Sequence, residues 1–241
     1  IGAATVRRFL REGWHVVINH LDASQAEAAA ALAAGATAPG QRALGVAADV
    51  TQDADCVRLV QAAVQVFGRL DALVNAAGIS KMVAHADLGG LSSDDFQRIY
   101  AVNTIGPFQM MRAAAPYLKA AGNASVVNIS SRAGIAGSGS SIAYAASKGA
   151  LNTLTLSMAR VLAPEVRVNA VCPVLVEQGF VERLAPESFA ARREHQIRVT
   201  PLHRLGHPDE VAESIWWLTS SAAMMTGAVL ELDFGLHLTS V

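Results

Sequence analysis

Residues 125–150, SVVNISSRAGIAGSGSSIAYAASKGA, contain one complete strand–loop–helix unit. The stretch 125–130, with Val126, Val127 and Ile129 among its residues, predicts a strand. The Gly- and Ser-rich stretch 134–141 predicts a loop, and 142–163 predicts a helix. A unit of this kind is half of a β-α-β crossover, which places parallel strands side by side.

The same alternation of strand and helix extends along the rest of the chain. Further strands are predicted at 16–18, 43–48, 72–74, 166–171 and 229–232. Further helices are predicted at 3–12, 51–67 and 209–219, with Gly13 ending the first and Thr51 capping the second. Another helix is predicted to follow Asp22, which can cap it. A long helix is predicted to begin near Ser92 and to bend at Gly106-Pro107. Segment 173–205 is expected to be irregular with some helix. We therefore expect an α/β protein, a doubly wound parallel sheet in three α/β/α layers, as a single domain over 1–241.

Composition narrows the class of protein. Of the 241 residues, 52% are apolar and 16% are charged, the formal net charge is -1, and no cluster of Lys and Arg stands out. A nucleic acid or an anionic membrane normally requires a basic surface, so we expect neither partner. The mean hydropathy of +0.32 comes without an apolar run long enough to span a membrane. The apolar surplus instead suggests a buried interface between subunits of a homo-oligomer.

The two cysteines, Cys56 and Cys172, are isolated from each other and lie in apolar segments. Two such residues are typical of core packing in a reducing compartment rather than of a disulfide framework. With no visible signal peptide, we expect a cytoplasmic protein.

Ser131, Tyr144 and Lys148 form the clearest chemical pattern. Ser131 follows a strand, and Tyr144 and Lys148 lie four residues apart on the following helix. Residues at this spacing share a helix face, and an ammonium near a phenol lowers the phenol pKa. The phenol can then exchange a proton with an alcohol or a carbonyl, while the serine hydroxyl holds the same oxygen. A Tyr-x-x-x-Lys pair alone is common on helix surfaces, so the strand-end serine and the 134–141 loop are what favour a catalytic role.

The segment from Asn128 to Ala150 resembles the active-site segment of the short-chain dehydrogenase/reductase family. Other segments resemble further motifs of the family, in the family's order. They are Asp49-Val50, Asn75-Ala-Ala-Gly78, Asn103 in Val102-Asn-Thr, Arg167-Val-Asn-Ala-Val-Cys-Pro173, Pro201-Leu-His-Arg-Leu-Gly-His-Pro-Asp-Glu-Val211 and Thr226-Gly227. The resemblance covers essentially the whole chain. It implies a Rossmann-like fold and an NAD(P)(H)-dependent oxidoreductase, such as a ketoreductase, that interconverts a ketone or aldehyde and an alcohol by hydride transfer.

The resemblance also implies roles for individual residues. Tyr144 is the acid/base, Lys148 binds the nicotinamide ribose and lowers the pKa of Tyr144, and Ser131 orients the substrate carbonyl. Asn103 holds a water that connects Lys148 to solvent; alternatively, it satisfies backbone groups freed at the helix bend. The residues implied to contact the cofactor are Ile1, His20, Asp49, Val50, Asn75, Ala76, Gly78, Tyr144, Lys148, Pro173 and Val176.

The chain departs from the family pattern at several positions. Ile1-Gly2 resembles the end of the family's Thr-Gly-x-x-x-Gly-Ile-Gly phosphate loop, so we expect a first strand and most of that loop to precede Ile1. Ala76, Val174 and Gln178 replace the usual Asn, Gly and Thr, and Asp233-Phe-Gly235 replaces Asp-Gly-Gly. The residues at 174 and 178 bear on how the loop closes over the nicotinamide.

His20 bears on the choice between NAD and NADP. NAD enzymes of the family place an Asp at the end of this strand to bind the ribose 2′-OH. His20 lacks that carboxylate, which slightly favours NADP, although the Arg usual in NADP enzymes is also missing. His20 either faces a 2′-phosphate or is a solvated residue at the strand end.

The histidines do not predict a metal centre. His203 and His207 are four apart, but Pro201, Gly206 and Pro208 prevent a shared helix, and no Cys or acid completes a ligand set. We therefore expect no metal.

Several other residues have a chemical and a structural interpretation. Trp216-Trp217 is expected to pack in the core or between subunits. Lys81, His85 and Arg132 lie in or near loops that follow strands, where they either contact a polar substrate or are solvated.

The alternative function is a non-catalytic NAD(P)-binding regulatory or structural subunit with the same fold, which would be free to lose Tyr144 or Lys148. The expected substrate is a small molecule. Its class is open between a 3-oxoacyl thioester, a sugar or polyol, a steroid and a small ketone, because the segments 81–91 and 174–205 do not identify a pocket. By the resemblance, the oligomer is a tetramer in which helices 92–120 and 142–163 pack between subunits.

Overall fold

The computed structural model describes residues 1–239, and within them six strands form two parallel ladders. The strands are β1 (Val16–His20), β2 (Ala43–Ala47), β3 (Ala72–Asn75), β4 (Ala124–Ile129), β5 (Val166–Pro173) and β6 (Val229–Leu232). The α-helices are α1 (Gly2–Arg11), α2 (Ala26–Ala33), α3 (Asp53–Phe67), α4 (Ser93–Tyr100), α5 (Gly106–Ala121), α6 (Ala133–Ala136), α7 (Ile142–Leu162), α8 (Phe180–Leu184), α9 (Pro186–Val199) and α10 (Pro208–Ser220).

The ladders have the orders β1-β2 and β3-β4-β5-β6. Val127 of β4 lies opposite Val74 of β3 and Asn169 of β5, which fixes the register of the larger ladder. The two ladders are not hydrogen-bonded to each other. Ladder pairing requires strands about 4.8 Å apart, and within residues 1–239 no strand joins β1 to β3.

Helices cover both faces of the larger ladder, which confirms the three-layer prediction. Val126 packs with Met111 on the side of α3, α5 and α7, whereas Val127 packs with Ile215 on the side of α1 and α10. All four side chains are fully buried. Successive residues of β4 thus enter opposite cores, as the two-residue period of a strand requires, and this explains why Val126, Val127 and Ile129 are all apolar.

The predicted bend before Pro107 is a π-helical turn, Ala101–Ile105, between α4 and α5. A Cβ atom on Gly106 would lie 2.9 Å from Cγ2 of Val50, so only glycine permits this close approach. Pro107 lies in the first turn of α5, where its missing N–H has no cost. The turn directs Asn103 into the protein interior, where its side chain is fully buried.

Local signals predicted some helix ends and not others. Ser92 caps α4 as expected, and Asp95 completes a capping box. The Thr51 cap is wrong, because α3 begins at Asp53 and the N–H of Thr51 donates to Oδ1 of Asp49 at 2.9 Å instead. Segment 173–205 is more helical than expected, since it contains α8 and α9. In the described part of the chain, no helix has the length and apolarity that crossing a membrane requires.

Candidate active site

Ser131, Tyr144 and Lys148 meet at the carboxyl end of β4. Ser131 lies two residues beyond β4, and Ser141 caps α7 by accepting a hydrogen bond from the N–H of Tyr144 at 3.3 Å. Tyr144 and Lys148 are only 6% and 4% exposed. The ammonium of Lys148 is 5.8 Å from the centroid of the Tyr144 ring, and the Tyr144 and Ser131 side chains are hydrogen-bonded. The structure therefore brings together the three residues that the sequence pattern singled out.

Ser131 is held in place by the backbone on both sides. Its Oγ accepts a hydrogen bond from the N–H of Ala133 at 3.2 Å and donates to the carbonyl of Pro173 at 3.5 Å. The side chain is half-buried, so its hydroxyl can still reach a small molecule at the sheet edge.

The expected lowering of the Tyr144 pKa is not what the structure shows. Burial raises the pKa of Tyr144 to about 12, and the hydrogen bond with Ser131 opposes this rise. Burial also lowers the pKa of Lys148 to about 8. The Lys148 ammonium donates to the carbonyl of Ile129 at 2.8 Å, and at its distance from the ring the charge does not outweigh the desolvation of the phenol. The phenol is therefore protonated at neutral pH.

Asn103 ties the loop after β3 to the catalytic helix. Its Oδ1 accepts from the N–H of Ile79 at 2.9 Å, and its Nδ2 donates to the carbonyl of Ile79 at 2.9 Å and to Oγ of Ser147 at 3.0 Å. Ser147 in turn donates to the carbonyl of Tyr144 at 2.7 Å. The backbone groups that Asn103 satisfies thus belong to the neighbouring loop rather than to the helix bend itself. Its water-holding role stays a prediction.

The residues predicted to contact the cofactor mark the carboxyl ends of several strands. Gly2 begins α1, and a Cβ atom there would lie 3.4 Å from Cβ of Ala76, so the start of this helix faces the end of β3. A Cβ atom on Gly78 would lie 3.5 Å from Oδ1 of Asn103 and 3.7 Å from Nζ of Lys148. Glycine at this position therefore leaves the approach to Lys148 open.

Asn75, at the end of β3, has a buried side-chain partner. It is buried, and its Nδ2 donates to Oδ1 of Asn128 at 2.8 Å. Its contact with the cofactor stays a prediction. Asn128 continues the buried chain by donating to Oγ1 of Thr155 at 2.9 Å.

The other end of this edge is formed by β1 and β2. His20 ends β1, and its Nδ1 lies 2.9 Å from the carbonyl oxygen of Asp22. Because a carbonyl only accepts, Nδ1 carries the proton, and in the neutral ring Nε2 is an acceptor. Beyond β2, the carboxylate of Asp49 accepts a hydrogen bond from the N–H of Thr51 at 2.9 Å. The carbonyl of Val50 accepts one from Nε2 of Gln109 at 2.8 Å.

The loop after β5 contains two of the departures from the family pattern, Val174 and Gln178. Pro173 and Val176 are buried, and Val176 forms an isolated bridge with Gly206. Gln178 adopts a φ of +53°, and its Nε2 lies 3.2 Å from Nε2 of His207. This side chain therefore links the loop to the start of α10.

Phe234, another departure from the family pattern, packs against the same part of the protein as Val176 and Gly206. It adopts a φ of +55°, and its ring would lie 3.2 Å from a Cβ atom on Gly206. The guanidinium of Arg204 stacks on the ring at 4.5 Å and pairs with Glu210 at 2.7 Å. The ring of Phe234 thus fills the space left by the missing side chain of Gly206, next to the bridge to Val176.

Two charged residues that were open as substrate contacts have structural partners instead. Lys81 pairs with Asp95 at 2.8 Å. Arg132 pairs with the buried Asp233 at 3.3 Å and with Glu231 at 3.5 Å, which attaches the segment after β6 to the loop of Ser131. Both cations therefore have a structural role.

Sequence reasoning missed Ser141 and Ser147. Ser141 has a local signal, since a serine directly before a helical segment favours an N-cap. Ser147 has none, because its partner Asn103 is 44 residues away in the chain.

Cys172 and a cleft complete the surroundings of the site. Cys172 is fully buried, and burial raises its pKa to about 11, so the thiol is neutral and fills the core. Next to Gly139 and Ser140, two adjoining cavities of about 390 and 540 Å³ open between the active-site loop and α9. His85 lines the smaller cavity, and its Nε2 is buried without a hydrogen-bond partner in residues 1–239. Among those residues, no group of His, Cys, Asp or Glu is arranged to hold a metal ion.

The carboxyl edge of the sheet fits a nicotinamide dinucleotide. The first N–H groups of α1 suit a pyrophosphate, because a helix N-terminus attracts anions. Gly78 leaves access along the buried ammonium of Lys148, which suits ribose hydroxyls. An α/β fold with Ser, Tyr and Lys side chains at this edge defines the class of NAD(P)-dependent oxidoreductases.

Comparison with known proteins identifies the family. The family profile described as enoyl-(acyl carrier protein) reductase matches residues 1–237. A protein of Streptomyces violaceoruber, named as a ketoacyl reductase of the granaticin polyketide synthase, is 42% identical over 240 residues, with 99% of this chain and 92% of that protein covered. The cis-4-hydroxycyclohexanecarboxylate dehydrogenase of Sinomonas cyclohexanicum is 36% identical over 237 residues, with 98% and 91% covered. A crystal structure of a short-chain dehydrogenase/reductase from Burkholderia xenovorans superposes with a TM-score of 0.90 at 43% identity, with 98% and 93% covered.

The chain belongs to the short-chain dehydrogenase/reductase family. Its Rossmann-like fold is that of its structural relatives, and its activity is that of an NAD(P)-dependent oxidoreductase acting on an alcohol/carbonyl pair.

Proposed function

We propose that Ser131, Tyr144 and Lys148 form the catalytic centre, with Asn103 as support, in a chain that acts as one NAD(P)-binding domain. One observation carries the proposal: the Tyr144 hydroxyl is hydrogen-bonded to Ser131 while Lys148 is buried one turn further along the same helix. A buried phenol, hydroxyl and ammonium in one place at a sheet edge have no packing purpose that apolar residues would not serve better.

In carbonyl reduction, the Ser131 hydroxyl donates a hydrogen bond to the substrate carbonyl oxygen, and Tyr144 transfers its proton to that oxygen. Because burial keeps the phenol protonated, Tyr144 is available as the acid at neutral pH. Lys148, with a pKa of about 8, is still charged there and stabilises the phenolate that the transfer leaves. The bound nicotinamide supplies the hydride, or accepts it in alcohol oxidation. In oxidation, Tyr144 must first lose its proton, and its oxygen then accepts the proton of the alcohol.

Tyr144→Phe tests this assignment. The substitution removes the proton donor and keeps the ring, so turnover should be lost while cofactor binding, measured by the fluorescence of bound NADPH, stays nearly unchanged. A variant that keeps more than about a tenth of the wild-type kcat, a barrier change under about 1.4 kcal/mol, contradicts the role of Tyr144.

The substrate we propose is a ketone or the corresponding secondary alcohol. One relative is named for ketoacyl reduction and another for dehydrogenation of a hydroxycyclohexane, and both pairs are of this type. A ketoreductase is therefore favoured among the substrate classes that the sequence leaves open. No observation favours the non-catalytic alternative.

We propose that the cofactor lies along the start of α1, the turn at Asp49-Val50, the segment Ala76–Gly78 and the loop from Pro173 to Val176. We also propose that NADP is preferred over NAD. The preference rests on His20, which carries no negative charge to repel a 2′-phosphate. As an imidazolium, it donates from Nε2 as well.

We also propose a cytoplasmic homotetramer. Large apolar side chains are exposed on the two long helices predicted to pack between subunits: Ile105 and Phe108 at the start of α5, and Leu156 and Val161 on α7. Burial of these side chains in symmetric contacts would remove apolar surface from water. The two free, buried cysteines suit a reducing compartment.

A further inference from the structure

The cleft beside the active site has a polar wall that catalysis does not use. Both cavities of the cleft are lined by Gly139 and Ser140 on one side and by Ser188 and Arg192 of α9 on another. A Cβ atom on Gly139 would lie 3.9 Å from Cδ1 of Tyr144. A molecule that reaches Tyr144 through this cleft therefore also meets α9.

The position of α9 is fixed relative to the loop after β5. Gln196 clamps the backbone of Leu175: its Oε1 accepts from the N–H at 3.1 Å, and its Nε2 donates to the carbonyl at 3.0 Å. His195 and Gln196 lie three and four residues after Arg192, so both share a helix face with Arg192. All three line the larger cavity.

Arg192 is an exposed cation on α9. Its Nε donates to Oγ of Ser188 at 3.2 Å, and within residues 1–239 its guanidinium forms no ion pair with a carboxylate. Arg193, the next residue on the helix, differs from Arg192 because it forms an ion pair with Glu177 at 3.5 Å.

His195 provides a second donor in the same cavity. Its Nδ1 lies 3.3 Å from a guanidinium nitrogen of Arg198. Because a guanidinium only donates, Nδ1 must accept, and the proton of the neutral ring is on Nε2. The other residues around the larger cavity include no Asp or Glu, and Leu175, Val181 and Ala191 make much of its surface apolar. The smaller cavity differs, because Glu187 lines it together with Arg192.

We propose that the larger cavity binds an oxyanion of the substrate, so that this enzyme acts on carbonyl compounds whose apolar body ends in a carboxylate, sulfonate or phosphate group. Arg192 forms the ion pair, for which the planar guanidinium offers two parallel N–H groups, and His195 donates from Nε2. The inference rests on the proposed ketoreductase function and specifies its substrate.

Paired substrates test the inference. We would measure kcat/KM with NADPH and NADH for 4-oxocyclohexanecarboxylate and for its methyl ester, which is uncharged and larger by one methyl group. The variants are Arg192→Met, and Arg193→Met as a matched control on the same helix. We expect the wild type to prefer the acid, and Arg192→Met to lower kcat/KM for the acid at least about tenfold, mainly through KM. The ester with either variant, and the acid with Arg193→Met, should change less than about twofold.

A second pair identifies the source of the oxyanion. Acetoacetyl-CoA carries phosphates, and its N-acetylcysteamine thioester does not. If Arg192→Met affects the CoA thioester alone, the cavity binds a phosphate of a carrier; if it affects the keto acid, the cavity binds a carboxylate of the substrate. Equal losses on charged and neutral members of both pairs, or a wild type indifferent to charge, overturn the inference.

Calorimetric titration of the keto acid and of its ester keeps the two proposals separate. Tighter binding of the acid by the wild type, lost in Arg192→Met, supports the oxyanion site even if no substrate turns over, and that lack of turnover would count against the ketoreductase function alone. Equal binding of acid and ester contradicts the oxyanion site.

Discussion

Asn103→Ala tests whether this residue holds the active-site loops together. The substitution removes three hydrogen bonds of a fully buried side chain, two to the backbone of Ile79 and one to Ser147. At about 1 kcal/mol for each bond, the loss is about 3 kcal/mol. For a chain of this length, each kcal/mol lowers Tm by about 2–4 °C, so we expect a decrease of about 6–12 °C.

The assay is thermal unfolding followed by circular dichroism, with urea unfolding as a second measure. Asn123→Ala is the control, because Asn123 is exposed in the turn between α5 and β4 and should change stability by less than about 0.5 kcal/mol. We also expect Asn103→Ala to weaken cofactor binding, since Ile79 anchors the loop that contains Gly78 next to Lys148. A Tm within about 1 °C of the wild type would show that the three hydrogen bonds contribute no net stability, and the reasoning would fail.

Two further predictions concern the cofactor and the assembly. His20→Asp should lower the ratio of kcat/KM for NADPH to that for NADH about tenfold, because a carboxylate at the end of β1 repels a 2′-phosphate and accepts from a 2′-OH; a wild type that prefers NADH, together with an unchanged ratio in the variant, would show that selectivity is set elsewhere. Light scattering at micromolar concentration should give four times the chain mass of 25.2 kDa; the mass of a single chain would exclude the tetramer.

The sequence determined the features that depend on local periodicity. The stretch 125–130 predicted β4, and the four-residue spacing placed Tyr144 and Lys148 on one face of α7. Ser92 predicted the start of α4, and Gly106-Pro107 predicted an interruption of the helix. These predictions hold because backbone geometry fixes the direction of neighbouring side chains whatever the rest of the chain does.

The tertiary structure decided what depends on distant segments. Asn75 turns inward because Asn128, 53 residues away, accepts from it, and Arg132 is neutralised by Asp233, 101 residues away. The pKa of Tyr144 rises, although the Lys148 spacing predicts a decrease, because burial of the phenol removes it from water. Desolvation and long-range hydrogen bonds have no local signature in a sequence, since they arise only when remote residues pack around the same group.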